Sequence, residues 1–346
     1  MRVVVSGYYG FGNLGDEALL GGLADGLRRR GHQVVVLSGD PAATRAAHGV
    51  AATHRLYGAP FAIARADAVV SGGGGLLQDA TSTRSLRYYL AVMRLARLLG
   101  KRVVVYAQSL GPLSPSGRAS VARAMAGASV AVRDEASLSL ARALGANPVL
   151  VADPALLVPA PVAAEAEERP VILVPRGGQD ELNRALTTLA RALVAANVPV
   201  AALALHAAHD EAAVARLASE VPEVEVRRAR DVPEALHVLS HARYVVSVRL
   251  HGCILAARLG IGFAGLSYDL KVRGFLEQAR APAFEAPVDV RSLRELAMLA
   301  PPPEEHAVHH LLALAEEGIA WLDDTLRGGQ RDGQGRRRSS HGPEVR

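Results

Sequence analysis

The chain has 346 residues, of which 50% are hydrophobic and only 4% aromatic. That length exceeds one ordinary core and predicts two α/β domains, while so few aromatic side chains argue against stacking on single-stranded bases. The formal net charge is +5, but residues 327–346 hold six arginines against two carboxylates and so carry four of those five charges. Since the rest is nearly neutral, we expect no nucleic-acid partner.

The sequence also predicts the compartment. Cys253 is the single cysteine, so an intrachain disulfide is impossible and nothing indicates an oxidising environment. The apolar run at the N-terminus is too short for a signal peptide, and no stretch of about 18 uncharged apolar residues could form a transmembrane helix. We therefore expect a cytoplasmic protein that can contact the inner face of a membrane peripherally.

Short β-rich runs alternate with helical stretches from the start of the chain, which is typical of parallel α/β architecture. Residues 3–6 predict a buried strand, and residues 16–30 predict a helix with leucines along one face. Further strands of this series are predicted at 33–37, 68–71, 102–106 and 129–132.

Residues 159–170 interrupt this rhythm with proline, alanine and glutamate and predict a linker. The sequence thus predicts an N-terminal α/β domain at 1–158, a C-terminal α/β domain at 171–326 and a disordered arginine-rich tail at 327–346. Two doubly wound Rossmann-like domains would then face a cleft, as in GT-B-like folds. Because ligands bind beyond the carboxyl ends of such strands, two binding edges would face each other.

The first motif, GYYGFGNLGDEA at residues 7–18, lies between a predicted strand and a predicted helix. Its glycines fit the G-x-G-x-x-G pattern, in which an anion approaches the backbone at a helix N-terminus. Asp16 and Glu17 would repel a pyrophosphate there, so they suit sugar hydroxyls or proton transfer instead. The alternative is a tight turn whose carboxylates favour the helix dipole.

The second motif, SGGGGLLQDATSTRS at residues 71–85, places four consecutive glycines after a strand. Since glycine has a high conformational entropy cost, a ligand or a neighbouring turn must approach the main chain there. Gln78 and Asp79 follow as polar groups suited to sugar hydroxyls. A flexible loop is the alternative interpretation.

The third motif, SVRLHGCILAARLG at residues 247–260, contains Arg249 and His251 where a strand gives way to a helix. Arginine binds a carboxylate or phosphate with two parallel hydrogen bonds, and histidine transfers protons near neutral pH. A surface arginine is the alternative. We expect the neighbouring Cys253 to be a small buried residue, not a nucleophile.

The fourth motif, GLSYDLKVRGFLEQ at residues 265–278, places Lys271 beside Asp269. The pair suits a phosphate or a sugar, or alternatively forms a surface ion pair at a helix start. Arg176, after the first strand of the second series, faces the same edge and is a further candidate anion ligand. The sequence has no metal-ligand spacing, so we expect neither a metal nor a cofactor.

Seven segments occur in the order of one known family: GYYGFGNLGDEA, SGGGGLLQD, YAQSLGPL, VRDEAS, VADPA, RLHG and SYDLKVRGFLEQ. Together they resemble the polysaccharide pyruvyl transferase family, especially its CsaB-like branch. The resemblance implies a GT-B-like fold, phosphoenolpyruvate as co-substrate and no metal. For that branch it implies a lipid-linked amino-sugar disaccharide acceptor, whose pyruvylated polymer anchors surface-layer proteins.

The donor-site motif of the family falls on Arg249, Leu250 and His251, and an arginine from its second domain corresponds loosely to Arg176. The chain departs from the family at Gly252, where alanine is common, and in its arginine-rich tail. The predicted catalytic residues are His251, Asp16, Glu17 and Asp79. The predicted substrate-binding residues are Arg249, Leu250, Lys271, Arg176, Gly12, Asn13, Gly15, Gly73, Gly74, Gln78 and Asp269.

Three other functions stay open at this point. A nucleotide-sugar glycosyltransferase would share the GT-B architecture and bind a UDP- or GDP-sugar. An NAD-dependent Rossmann oxidoreductase would bind its dinucleotide at the first glycine motif. A non-catalytic glycan-binding module would have no use for the cationic residues of the last two motifs.

Overall fold

The computed structural model describes residues 1–80, 82–162 and 169–328. Part of the predicted linker, residues 163–168, and the predicted tail from residue 329 onward lie outside the described residues, as does Thr81 of the second motif.

The first half of the chain forms an eight-stranded sheet with the order β3-β2-β1-β4-β6-β7-β8, in which β5 pairs with β6. All of its pairings are parallel. The strands are β1 (Arg2–Ser6), β2 (Gln33–Ser38), β3 (Ala51–His54), β4 (Ala68–Ser71), β5 (Gly74–Leu77), β6 (Arg102–Leu110), β7 (Ser129–Val132) and β8 (Pro148–Leu150).

In the part of the chain that the structure describes, six helices cover the two faces of this sheet. The side chain of Asn13 caps α1 by accepting the N–H of Gly15, and a line of leucines buries the inner face of that helix. The helices are α1 (Leu14–Arg29), α2 (Pro41–His48), α3 (Ala59–Ala64), α4 (Thr83–Leu98), α5 (Pro115–Met125) and α6 (Glu135–Ala143), followed by a short 3₁₀ turn at Pro154–Leu157.

The second half forms a six-stranded parallel sheet with the order β11-β10-β9-β12-β13-β14. Its strands are β9 (Val171–Val174), β10 (Val200–Leu203), β11 (Glu225–Arg227), β12 (Tyr244–Ser247), β13 (Phe263–Leu266) and β14 (Ala283–Phe284). Its helices are α7 (Asp180–Val194), α8 (Ala207–Glu220), α9 (Val232–Ser240), α10 (Leu250–Arg258), α11 (Leu270–Gln278), α12 (Val290–Leu299) and α13 (Glu305–Leu326).

The last helix, α13, returns to the first half. Asp323 lies 2.8 Å from Nε2 of the buried His32, and Arg102 donates to the carbonyl oxygens of Thr325 and Leu326. One hydrophobic cluster accordingly contains buried residues of both halves. Within the described ranges, no helix combines the length and apolarity needed to cross a bilayer.

Each sheet reverses its strand order once, between β1 and β4 in the first sheet and between β9 and β12 in the second. Ligands of doubly wound folds bind at such switch points. The two carboxyl edges meet, since the N–H of Leu14 donates to the carbonyl of Leu205 at 2.9 Å and Asn13 forms a β-bridge with His206. The predicted architecture of two facing Rossmann-like sheets is therefore confirmed.

The strand β5 was not predicted. The four glycines at 72–75 indicated that a ligand or a neighbouring turn approaches the main chain, with a flexible loop as the alternative, whereas in the structure Gly74 and Gly75 begin β5 and Gly74 pairs with Gln108 of β6. The positive φ of Gly74, 101°, lets the chain turn from β4 into this short extra strand.

Candidate active site

Asp16 lies in the first turn of α1 and is almost fully buried. The side-chain amide of Asn13 donates to its carboxylate. Gly74 packs directly against it, because a Cβ added to Gly74 would lie 3.2 Å from Oδ1 of Asp16. Asn13, Asp16 and Gly74, all predicted as site residues, are thus brought together.

Burial raises the pKa of Asp16, and the nearby charges of His251 and Arg133 offset only part of that rise. A raised pKa keeps the carboxyl group protonated to a higher pH than an ordinary aspartate. Asp16 is therefore suited to donate a proton.

Glu17, the next residue, faces a different environment. Its Oε1 accepts the N–H of Gly10 at 2.8 Å, and its Oε2 lies 2.8 Å from Nε2 of His48. It borders a groove of about 740 Å³ that also contains Gly12 and Arg230. Asp16 and Glu17 therefore do not act as one carboxylate pair: Glu17 braces the glycine loop from the side of the groove.

His251 lies in the first turn of α10, across the interface from α1. A Cβ on Gly15 would lie 2.2 Å from Nδ1 of this ring, so only glycine permits the close approach of the two helices. Nε2 of His251 is buried, lies 3.7 Å from Oδ2 of Asp153 and has no hydrogen-bond partner among the described residues. This nitrogen therefore faces the carboxylate of Asp153.

A buried network that sequence reasoning missed supports His251. Nε of Arg133 donates to Oγ of Ser109 at 2.9 Å, and Nη1 donates to the carboxylate of Asp153. Oγ of Ser109 in turn donates to Asp134 at 2.6 Å. Burial alone would raise the pKa of Asp153, but the charges of Arg133 and His251 outweigh it and hold this pKa at about 2.

Arg249 precedes α10 and is held by a residue that sequence reasoning also missed. Its Nε and Nη2 donate to the two oxygens of Asp210 at 2.8 and 2.5 Å. Asp210 is fully buried and also accepts the N–H groups of His206 and Gly177 at 3.0 and 3.1 Å. The guanidinium is thereby fixed at the switch point, and its Nη1 has no partner within the described ranges.

Arg176 follows β9 and lies on the other side of the same switch point. Its guanidinium carbon is 4.3 Å from the centre of the Tyr268 ring, and Nη1 donates to the tyrosine hydroxyl. Burial, with the charge of Asp269, raises the pKa of Tyr268 to about 12, so its hydroxyl is neutral at pH 7. Arg176 follows β9 and Arg249 follows β12, two paired strands, so the two cations lie at one edge of the sheet.

Lys271 reaches from the second half to the first. Its Nζ lies 3.1 Å from Oδ2 of Asp269, whose Oδ1 caps α11. A Cβ on Gly75 would lie 3.2 Å from the same Nζ. Lys271 borders a void of about 10 Å³, roughly the room for one water, together with Arg133 and Leu250.

Several predicted residues lie apart from this cluster. Asp79 accepts the N–H and the hydroxyl of Ser114 at 2.9 and 2.5 Å, and these bonds lower its pKa. These contacts brace a loop, and they give no support to Asp79 as a proton donor. Gly73 packs on Leu19 of α1, so there a neighbouring element, not a ligand, approaches the glycine backbone. Gln78 is half-buried after β5.

The remaining predictions concern Gly12, Cys253 and metals. Gly12, with φ at 71°, borders the open groove, and a Cβ added to it would meet no atom of the described residues within 4 Å. Cys253 is fully buried, and burial raises the pKa of its thiol to about 12, so it is a core residue and not a nucleophile. The described part of the chain contains no cluster of three or more potential metal ligands.

Two facing Rossmann-like sheets whose carboxyl edges meet define a GT-B-like fold. The sequence profile of the polysaccharide pyruvyl transferases matches residues 13–269, which is more than half of the chain. The chain therefore belongs to the polysaccharide pyruvyl transferase family, and pyruvyl transfer to a polysaccharide is the activity of that family. No curated protein matches the chain.

Solved structures share the fold. A co-structure of S. aureus MnaA with UDP has a TM-score of 0.67 at 10% identity, covering 94% of this chain and 97% of that one. The Neisseria meningitidis UDP-GlcNAc 2-epimerase bound to UDP-GlcNAc has a TM-score of 0.65 at 10% identity, with coverages of 94% and 100%. Acinetobacter baumannii MurG has a TM-score of 0.51 at 14% identity, with coverages of 94% and 99%. At these identities the likeness shows the fold alone.

Proposed function

We propose that the protein transfers a pyruvyl group from phosphoenolpyruvate to two hydroxyls of one sugar in a lipid-linked cell-wall polysaccharide precursor and releases phosphate. Family membership supports pyruvyl transfer to a polysaccharide. One observation favours this donor: Arg176 and Arg249 follow paired strands of the second edge, and Lys271 packs on Gly75 of the first edge, next to Gly74, on which the buried Asp16 packs.

Phosphoenolpyruvate carries a carboxylate and a phosphate, so its site needs more than one cation. Arg249 and Arg176 flank the switch point of the second sheet, and Lys271 extends toward the first half. The N-terminus of α10 adds a positive dipole end and has no side-chain cap. We assign the donor to this edge, with Arg249 binding one of its anionic groups through its remaining Nη1.

The chemistry forms two carbon–oxygen bonds and breaks the carbon–oxygen bond to phosphate, while protons move to the methylene carbon, from both sugar hydroxyls and to the departing phosphate. Asp16 donates a proton to the methylene carbon of the donor, which becomes a methyl group and leaves an oxocarbenium-like centre. The first sugar hydroxyl attacks that centre and returns its proton to Asp16. The second hydroxyl then attacks the same carbon and forms the ketal as the bond between that carbon and the phosphate oxygen breaks. His251 takes the proton of this hydroxyl and passes it to the departing phosphate.

The acceptor belongs, in this proposal, to the glycine-rich edge of the first sheet. The groove of about 740 Å³ is lined by Gly12 and Glu17, the neighbour of Asp16 in α1, and offers space for a sugar chain. As in the CsaB-like branch, we propose a lipid-linked amino-sugar disaccharide as acceptor and a cytoplasmic site of action, with the product anchoring surface-layer proteins. The reaction as written needs neither a metal nor a further cofactor.

The test is incubation of the purified chain with phosphoenolpyruvate and a lipid-linked amino-sugar disaccharide. We expect phosphate release in step with the mass gain of one pyruvyl ketal per acceptor. A parallel incubation replaces the donor by UDP-GlcNAc, the ligand of one solved neighbour. Sugar transfer from that donor, without turnover of phosphoenolpyruvate, would contradict the proposal and favour a glycosyltransferase.

A further inference from the structure

Two long stretches of sequence in the first half contain no carboxylate. No Asp or Glu occurs between Asp40 and Asp67, or between Asp79 and Asp134. These stretches supply α3, α4 and α5, which lie side by side on one face of the first sheet and share one hydrophobic cluster.

Arginines project from the surface that these three helices form. Arg84, Arg87 and Arg94 are exposed along one side of α4 at helical spacing. Arg65, Arg118 and Arg123 are exposed on the flanking helices or at their ends. Within the described ranges none of these six arginines forms an ion pair. Their charges are therefore available to a partner.

Large apolar side chains stand on the same surface. Tyr57, Phe61 and Leu98 expose 79%, 67% and 73% of their area, and Leu56 exposes 54%. Single exposed apolar residues are ordinary. Here they accompany unpaired arginines, while the carboxylate of Asp79 is hydrogen-bonded to Ser114 at the start of α5, and this combination suits a surface with anionic headgroups over an apolar interior. We call these ten residues the basic face: Leu56, Tyr57, Phe61, Arg65, Arg84, Arg87, Arg94, Leu98, Arg118 and Arg123.

The basic face adjoins the mouth of the candidate site. Leu56 and Tyr57 follow the carboxyl end of β3, and Arg84 begins α4 just beyond β5, so they lie at the edge that holds Asp16. Arg55 connects the two regions, since its guanidinium carbon lies 5.3 Å from the ring centre of Phe11 in the glycine loop and 4.0 Å from that of Tyr88 in α4.

We propose that the basic face docks the protein onto an anionic lipid bilayer. The inference rests on the proposed function and deepens it, because a docked bilayer would deliver a lipid-linked acceptor at the edge where the sugar must enter. It assigns membrane contact to folded helices of the first half, independently of the arginines in residues 327–346.

Vesicle co-sedimentation of the full-length chain tests this. The lipids are phosphatidylcholine alone, or phosphatidylcholine with phosphatidylglycerol in equal parts. We expect wild-type protein to bind only the anionic vesicles, and to bind them less as salt screens the attraction. Combining Arg84→Ser, Arg87→Ser and Arg94→Ser should lower the partition coefficient by on the order of 100-fold. Combining Tyr57→Ser with Phe61→Ser should lower it by about tenfold or more.

The matched control combines Arg294→Ser with Leu299→Ser, which removes an exposed arginine and an exposed leucine from α12 of the second half. This variant should bind vesicles like the wild type.

All variants should keep wild-type turnover of a soluble acceptor analogue, which also shows that they fold. Absent turnover in the wild type would refute the proposed function, whereas equal vesicle binding by wild-type and basic-face variants would overturn only the docking surface. Binding of single-stranded RNA in place of anionic vesicles would overturn it too.

Discussion

The carboxyl edges of the two sheets face each other, yet they differ in what they present. The first edge offers glycine backbone and one buried, protonatable carboxyl group, Asp16. The second edge offers Arg176, Arg249 and Lys271, each held by a partner of its own half. In the proposed function this difference becomes a division of labour, in which the second edge would bind the anionic donor and the first edge would transfer protons beside the neutral acceptor.

The same contrast appears on a smaller scale between two adjacent residues. Asp16 is buried against Gly74 and faces His251, whereas Glu17 bonds to Gly10 and His48 on the side of the groove. Consecutive positions on a helix point in different directions, so one motif supplies both a reacting group and a brace.

The largest expected effect comes from removing the proton of Asp16. Asp16→Asn keeps the shape of the side chain but cannot donate, so kcat should fall by roughly 10²- to 10⁴-fold. Steady-state phosphate release measures this. Glu17→Gln is the matched control and should retain kcat within about tenfold, because it weakens a brace. Equal losses of kcat in the two variants would contradict the different roles given to Asp16 and Glu17.

A substitution at Arg249 tests whether the second edge binds the donor. Arg249→Lys keeps the charge but loses the paired hydrogen bonds, so KM for phosphoenolpyruvate should rise by about 10- to 100-fold. Initial rates against donor concentration give this value. Asp210→Asn should cause a smaller rise in KM, since it leaves the guanidinium in place with a weaker partner. An unchanged KM in Arg249→Lys would show that Arg249 only holds Asp210.

The contact between α1 and α10 gives an intermediate effect. Gly15→Ala would push a methyl group into the His251 ring, so we expect a loss of about 1–3 kcal/mol in the free energy of unfolding and about tenfold in activity. Gly21→Ala lies in the same helix with its nearest atoms 3.7 Å away, and should stabilise by about 0.5–1 kcal/mol. Denaturant unfolding measures the free energy of unfolding of both variants. Similar losses of this free energy in Gly15→Ala and Gly21→Ala would argue against a specific packing role of Gly15.

A smaller effect concerns the stability cost of Asp16. Because its pKa is raised in the folded state, ionisation at neutral pH destabilises the protein, and that cost disappears when the pH falls below the ordinary aspartate value of about 3.9. Asp16→Asn should therefore melt at a higher temperature than the wild type at pH 7, and the gap should narrow as the pH approaches that value. A wild type that melts higher at pH 7 would contradict a destabilising charge.

The smallest expected effect is that of chelation. If the cations of the second edge neutralise the donor, phosphate release should be unchanged in EDTA. Activity lost in EDTA and restored by magnesium would show that these side chains do not suffice.

The sequence was informative where a residue's role follows from its position in a strand–turn–helix unit. Arg249 and His251 follow the end of β12, so their position near a switch point could be predicted. The same holds for Asn13, Gly15 and Asp16, which lie in the first glycine motif after β1. Asp79 follows a strand in the same way, but its carboxylate accepts a hydrogen bond from Ser114. Strand ends therefore identify an edge and not the side chains that meet there.

The missed residues depend on contacts across the chain. Asp210 lies in a helix whose sequence has no motif, and only packing brings it to Arg249, 39 positions later. Arg133 and Asp153 lie inside the segments VRDEAS and VADPA, and both follow strands at the same edge. The rule that identified Arg249 could have nominated them, but their ion pair forms only in the fold.

Calorimetric titration with phosphoenolpyruvate in the absence of acceptor tests the division of labour most directly. The wild type and Asp16→Asn should bind the donor with the same Kd, and Arg249→Lys should bind it about 10- to 100-fold more weakly. Loss of donor binding in Asp16→Asn, with wild-type affinity in Arg249→Lys, would reverse the roles of the two edges and contradict the account.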